Sequence, residues 1–154
     1  MVGSPPHEET AMFRLPLAAP AAALRLIAAP AAAQSAPGHT VSLTFETGAD
    51  TGAVMVVLYD SEADYAGGPA VGHRRLDVAA GERTATFEGL PAGDYAAKAI
   101  HHVDGDGEMD ANPFGMPTEP YGFSNNAVGN MGPASWERAR FTVSGATAQT
   151  ISLR

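Results

Sequence analysis

The chain has 154 residues, a formal net charge of -8 at pH 7 and no cysteine. The missing thiols exclude a disulfide framework and thiol chemistry. The acidic excess repels phosphate backbones and anionic lipid, so nucleic acid and membrane surfaces are poor partners and cations are favoured ones.

Met12-Phe13-Arg14 opens a run of Leu, Ala, Ile and Pro that ends in Ala31-Ala32-Ala33-Gln34. A basic start, an apolar middle and small residues before the break are the layout of a secretory signal, here cleaved after Ala33. Residues 1–33 therefore read as a signal peptide. Starting at Met12 would leave Glu8 and Glu9 outside it, and Arg25 interrupts its apolar stretch. Pro16, Pro20, Arg25 and Pro30 break the run too often for a membrane span. The remaining 34–154 form one domain, long enough to bury a core, expected to be periplasmic or secreted with no membrane span in the mature chain. Two acidic and two basic residues leave with the signal, so the charge stays at -8.

From Thr40 onward the apolar pattern has period two or short continuous runs, and no helical stripe is long enough to matter. Residues 41–45 alternate. Residues 53–59 are almost continuously apolar, as a central strand buried on both faces would be. Strands are expected at 71–78, at 83–87 with Thr84, Thr86 and Glu88 on a wet face, at 95–101, at 139–143 and at 149–153. About seven short strands make the fold class all-β, an immunoglobulin-like or transthyretin-like β-sandwich with a long ordered Pro/Gly-rich loop.

Where the 95–101 strand ends, the chain reads His102-Val103-Asp104-Gly105-Asp106-Gly107-Glu108-Met109-Asp110. In a D-x-[DN]-x-[DN]-G loop, oxygens at the first, third and fifth positions converge on a hard cation. The sixth position is Gly for the sharp turn, and the seventh lends its carbonyl. Asp104 and Asp106 fill the third and fifth positions, Gly107 the sixth, Glu108 the seventh and Asp110 the ninth. His102 stands at the first, and Pro113 at the twelfth, where an EF-hand has its bidentate Glu. Imidazole is a poor Ca2+ ligand, so the expectation is a weak Ca2+-type site on Asp104, Asp106, Glu108 (through its carbonyl) and Asp110, with Asn112 and Glu119 available to complete the shell. The competing reading is a solvated Asp/Gly turn. His101 and His102 would both reach one Zn2+ or Cu2+ only if the strand had already ended, because neighbours on a strand point to opposite faces. His101 is instead expected to bond a loop carbonyl through its ring.

The segment 112–137 holds four prolines and four glycines with little strand pattern. Its Phe114, Met116, Tyr121, Phe123, Met131 and Trp136 predict an ordered loop that packs on the sheets. Tyr121, Phe123, Asn125 and Asn126 combine ring faces with amides. That combination serves either a carbohydrate-binding surface or a loop that ties itself down.

Leu90-Pro91-Ala92-Gly93-Asp94-Tyr95-Ala96, the acidic loop, and Phe114-Gly115-Met116-Pro117-Thr118-Glu119-Pro120-Tyr121-Gly122-Phe123-Ser124-Asn125-Asn126 together resemble the bacterial DUF2141 family of exported proteins of unknown function. The resemblance covers roughly residues 40–154. It implies a small secreted or periplasmic β-sandwich whose loop reads His-Asp-x-Asn-x-Asn-Gly-x-x-Asp. His101, Asp104, Asp106 and Asp110 match that pattern, and His102 replaces the family Asp. The family lends no reaction.

No nucleophile elbow, phosphate loop or zinc-protease helix is present in the sequence. The expected function is a non-enzymatic binding or structural module of the envelope with a Ca2+-type loop, its partner an envelope protein or glycan. The alternative is a carbohydrate-binding domain using the loop from Tyr121 to Asn126.

Overall fold

A computed structural model describes residues 38–154; the expected signal peptide, 1–33, lies outside them. The described chain is mostly strand, in two sheets. β1 (His39–Glu46) pairs antiparallel with β4 (Thr84–Leu90) and parallel with β8 (Thr147–Ser152). The other sheet runs β3 (Gly72–Asp77), β2 (Ala53–Tyr59), β5 (Gly93–His102) and β6 (Tyr121–Phe123), all antiparallel, and β7 (Phe141–Val143) joins the free side of β5 near its start. Two short helices, α1 (Glu62–Tyr65) and α2 (Trp136–Ala139), and a 3-10 turn, Ser124–Asn126, complete the order.

Alternation puts every second side chain of each strand toward one shared core. Val41, Leu43 and Phe45 of β1 meet Val54, Val56 and Leu58 of β2, with Tyr95, Ala97 and Ala99 of β5 and Ile151 of β8 in the same cluster. Burying such side chains, at about 25 cal/mol per Å2 of apolar surface removed from water, is the main force holding the sheets together. The wet face expected at Thr84, Thr86 and Glu88 is exposed, while Ala85 and Phe87 are buried.

β2 is not covered on both sides. Met55, Val57 and Tyr59 are only half-buried, because the outer face of this sheet is roofed in part. β5 is covered on both faces from Tyr95 to Ala97 and again at His101 and His102, with Lys98 and Ile100 half-buried between. It alone pairs with β2, β6 and β7.

β6 lies inside the segment that carried no strand signal, and three residues are too few to show alternation. Its position is fixed by contacts with the other sheet. A side chain at Gly122 would come within 2.9 Å of Leu153 and 3.0 Å of Ile151, so only glycine lets β6 lie this close to β8. Tyr121 and Arg154 exchange backbone hydrogen bonds at 3.0 and 3.1 Å. Asn125 and Asn126, both at positive φ that Asn tolerates, then clamp the end of the chain. Asn125 Nδ2 donates to the carbonyls of Arg138 and Arg140 and its Oδ1 accepts from Gln149 Nε2, while Asn126 donates to Thr150 O and accepts from Ser152 N–H.

Ser124, fully buried, links three elements through one hydroxyl. It donates to Ala139 O at 2.5 Å and accepts from Ala97 N–H at 2.9 Å. Ser124→Ala removes the hydroxyl and orphans two buried backbone groups, each costing about 1–3 kcal/mol. We expect urea denaturation to show a loss of about 2–4 kcal/mol with an unchanged m-value. A loss below about 1 kcal/mol would contradict this account of the junction.

Candidate metal centre

β5 ends in two adjacent histidines that face opposite ways. His101 points into the core, fully buried, with Nε2 2.7 Å from Thr51 O, so Nε2 carries the proton and Nδ1 is left buried without a partner. This is the loop carbonyl bond expected for His101; the half-buried strand position expected from the sequence is corrected to a fully buried one. His102 points to the outer face, so the two rings do not share an ion.

His102 Nδ1 lies 2.9 Å from Glu108 O and 2.9 Å from Glu119 Oε2. Two acceptors against one ring nitrogen place the proton on Nδ1. Glu119 is the other half of the arrangement, with only 6% of its side chain exposed. Its Oε1 accepts Val103 N–H at 3.2 Å, and its Oε2 lies 3.4 Å from Asp110 N. One buried carboxylate thus gathers the end of β5, the far side of the acidic turn and the entry to β6.

Between Val103 and Glu119 the chain makes an Asp/Gly turn and a small hairpin. Asp104 Oδ1 accepts Asp106 N–H and Asp106 Oδ1 accepts Glu108 N–H, the turn chemistry of short acidic side chains. Gly107, at the loop's sixth position, has φ +82°, as the sharp bend requires. In the hairpin, Ala111 bridges Pro117, Thr118 N–H donates to Asp110 O, and Asn112 N–H donates to Met116 O. Asn112 Oδ1 accepts from Phe114 and Met116 N–H, so this side chain caps the hairpin and does not join the acidic cluster.

Of the residues singled out as ligands, the fold brings Asp104 and Asp110 together, and the third member is Glu119. One oxygen from each lies within 4.8 Å of the others. Oxygens bound to a single Ca2+ at about 2.4 Å are at most about 5 Å apart, so the spacing fits a shared ion. The Asp106 and Glu108 carboxylates are not in this group; the Glu108 carbonyl, expected as a ligand, faces His102 Nδ1 beside Glu119. Asp110 bears the electrostatic cost. Lost solvation first, then the charges of Asp104, Asp106, Glu119 and Glu108, raise its pKa above the ordinary carboxylate value. Among the described residues, no Lys or Arg pairs with this group, and its basic neighbour is His102, hydrogen-bonded to Glu119.

Of the aromatic and amide residues of the long loop, Phe123 and Trp136 are buried; Trp136 packs edge-on against Tyr65 at 5.8 Å. Tyr121 is 39% exposed, and the Asn125 and Asn126 amides are occupied by the chain itself. The expectation that the whole set packs down is corrected for Phe114, Met116 and Met131, which are largely exposed. They lie on turns that no strand draws inward.

A β-rich domain with two sheets around one core, and an acidic turn hung from the end of its central strand, is the class defined by this fold and site. The chain belongs to the DUF2141 family, described as an uncharacterized protein conserved in bacteria, whose family model matches residues 46–152. No curated protein and no solved structure matches it.

The geometry separates Glu119 from its exposed neighbours. Without divalent cations, Glu119→Gln turns one acceptor into a donor facing N–H groups in a buried site, and is expected to cost about 2–4 kcal/mol in urea denaturation. Asp104→Asn and Asp110→Asn, both exposed, are expected to leave the denaturation midpoint close to that of the parent chain, Asp110→Asn slightly above it because it relieves repulsion.

Proposed function

We propose that this protein is an exported, non-enzymatic binding or structural module of the bacterial envelope, built as an immunoglobulin-like or transthyretin-like β-sandwich, whose long loop is organised by a weakly held Ca2+-type cation. The observation that carries the cation is the convergence of Asp104, Asp110 and Glu119 oxygens within one ion's reach. Oxygen donors alone favour a hard ion over Zn2+ or Cu2+. In this reading Glu119 is the anchor, oriented by Val103 N–H and His102, and Asp104 and Asp110 close on the ion from the solvent side.

His102 explains why affinity should be modest. Its Nδ1–H already joins Glu108 O to Glu119, supplying internally some of the attraction a cation would supply. Export rests on the sequence of residues 1–33 and on the family. The sandwich rests on the shared core and on the pairing of β1 with both β4 and β8 opposite the β3-β2-β5-β6 sheet. The carbohydrate-binding alternative keeps only Tyr121 as an available ring, since Phe123 is buried and both amides are engaged.

A ligand that binds only the folded state raises its stability by RT ln(1 + [L]/Kd). For a dissociation constant of about 0.1–1 mM, as in extracellular calcium modules, 10 mM Ca2+ contributes about 1.4–2.7 kcal/mol. Thermal melting should then rise by several degrees in Ca2+ relative to EDTA, and Glu119→Gln should abolish the shift. No shift with Ca2+ or Mg2+ would end this reading.

His102→Asp places a carboxylate at the first loop position and removes the Nδ1–H donor. We expect lower stability in EDTA, by about 2–4 kcal/mol, together with tighter Ca2+ binding by calorimetry. Unchanged or weaker affinity would mean that the loop does not coordinate as described.

A further inference from the structure

A cavity of about 690 Å3 opens between the outer face of the β5–β6 sheet and the long loop. Ile100 and Phe123 contribute to its sheet side, and Met109, Met116 and Met131 to its loop side. Its volume is that of a small-molecule site, typically about 300–1,000 Å3, and such sites pair apolar walls with few polar groups. Three thioethers make walls that adapt to irregular apolar shapes. Met116 and Met131, 63% and 103% exposed, leave the rim uncovered.

Lys98 is the only charged residue lining this cavity. Its Nζ donates to Tyr65 O at 2.5 Å and lies 4.1 Å from the Tyr65 ring centre and 5.0 Å from that of Tyr59. Among the described residues it has no carboxylate partner, in a chain with a net charge of -8. Burial accordingly pushes the Lys98 pKa down. One carbonyl and two ring faces lie against the ammonium, and none of them carries a formal negative charge. A half-buried cation without a counter-charge, beside an apolar cavity, is matched by a ligand with an apolar body and one anionic head.

We propose that this cleft binds a small amphipathic carboxylate, its apolar body against Met109, Met116 and Met131 and its head on Lys98. The cation site is not needed for this, and the protein's overall negative charge disfavours nonspecific uptake of anions, so a preference for the charged ligand is diagnostic.

The test uses decanoate, below its micellar concentration, against decanol, which has the same chain length and no charge. Calorimetry on the full chain, in EDTA and in Ca2+, measures both. Trp136, the sole tryptophan, packs on Tyr65 and reports occupancy near Lys98 by fluorescence. Decanoate should bind saturably and at least tenfold more tightly than decanol in EDTA as in Ca2+. Lys98→Met, which keeps the apolar stem, should erase that preference, Lys98→Arg should retain it, and Met131→Asp should weaken both ligands. Equal affinity for the two ligands, no binding of either, or a preference that survives Lys98→Met overturns the proposal. Because the EDTA arm is read by itself, failure here is distinguishable from failure of the cation reading.

Discussion

The carboxylate of Glu119 is the constraint on which the functional end of this molecule depends. Buried and charged, it would be strongly destabilising alone, since an unpaired charge away from water is among the most costly features a fold can contain. Val103 N–H, Asp110 N–H and His102 Nδ1–H surround it. These donors come from two places on the chain, the end of β5 and Asp110 at the base of the hairpin, and both are held by one group. Hydrogen bonds to charged acceptors are roughly twice as strong as neutral ones. The knot therefore gives order to a stretch that the core does not reach.

β5 makes this possible by being covered on both faces at its end. A strand with one wet face would have left either His101 or His102 in solvent. Here His101 closes the end of the core against Thr51 O, and His102 is enclosed by the loop. Gly52 is part of the same packing: at φ +72°, a side chain there would come within 1.9 Å of His102 O. The close approach of the β2 start to the β5 end is what allows the acidic turn to begin where it does.

Strand positions could be read from the sequence wherever alternation or a continuous apolar run extended over five residues or more. β1, β2, β4 and β8 fall close to the expected ranges, and β5 overlaps its range almost entirely. The pattern failed where burial came from elsewhere. The 139–143 stretch loses its first residues to α2, and β6 is too short to alternate and is set by the room that Gly122 leaves for Ile151 and Leu153. At the site, loop spacing singled out Asp104 and Asp110. It could not rank Glu119 above Asp106, because a linear motif does not record that a hairpin brings a residue nine positions beyond Asp110 back to its backbone amide. Nor could it show that His102, read as a defective ligand, engages two of the loop's oxygens through its ring proton.

The acidic cluster and the apolar cleft meet at the hairpin between Asp110 and Thr118. Met109 adjoins Asp110, and Met116 lies on the opposite arm of the hairpin, directly across the hydrogen bond from Asn112 N–H. Repulsion among Asp104, Asp110 and Glu119 tends to spread the hairpin base, and a cation between them would draw it in. The hairpin is braced internally by Asn112, and its Met109 and Met116 line the cleft with Ile100 and Phe123. By linkage, any coupling between ion and cleft would be reciprocal: an occupant that favours the closed hairpin must tighten the ion by the same factor that the ion tightens it.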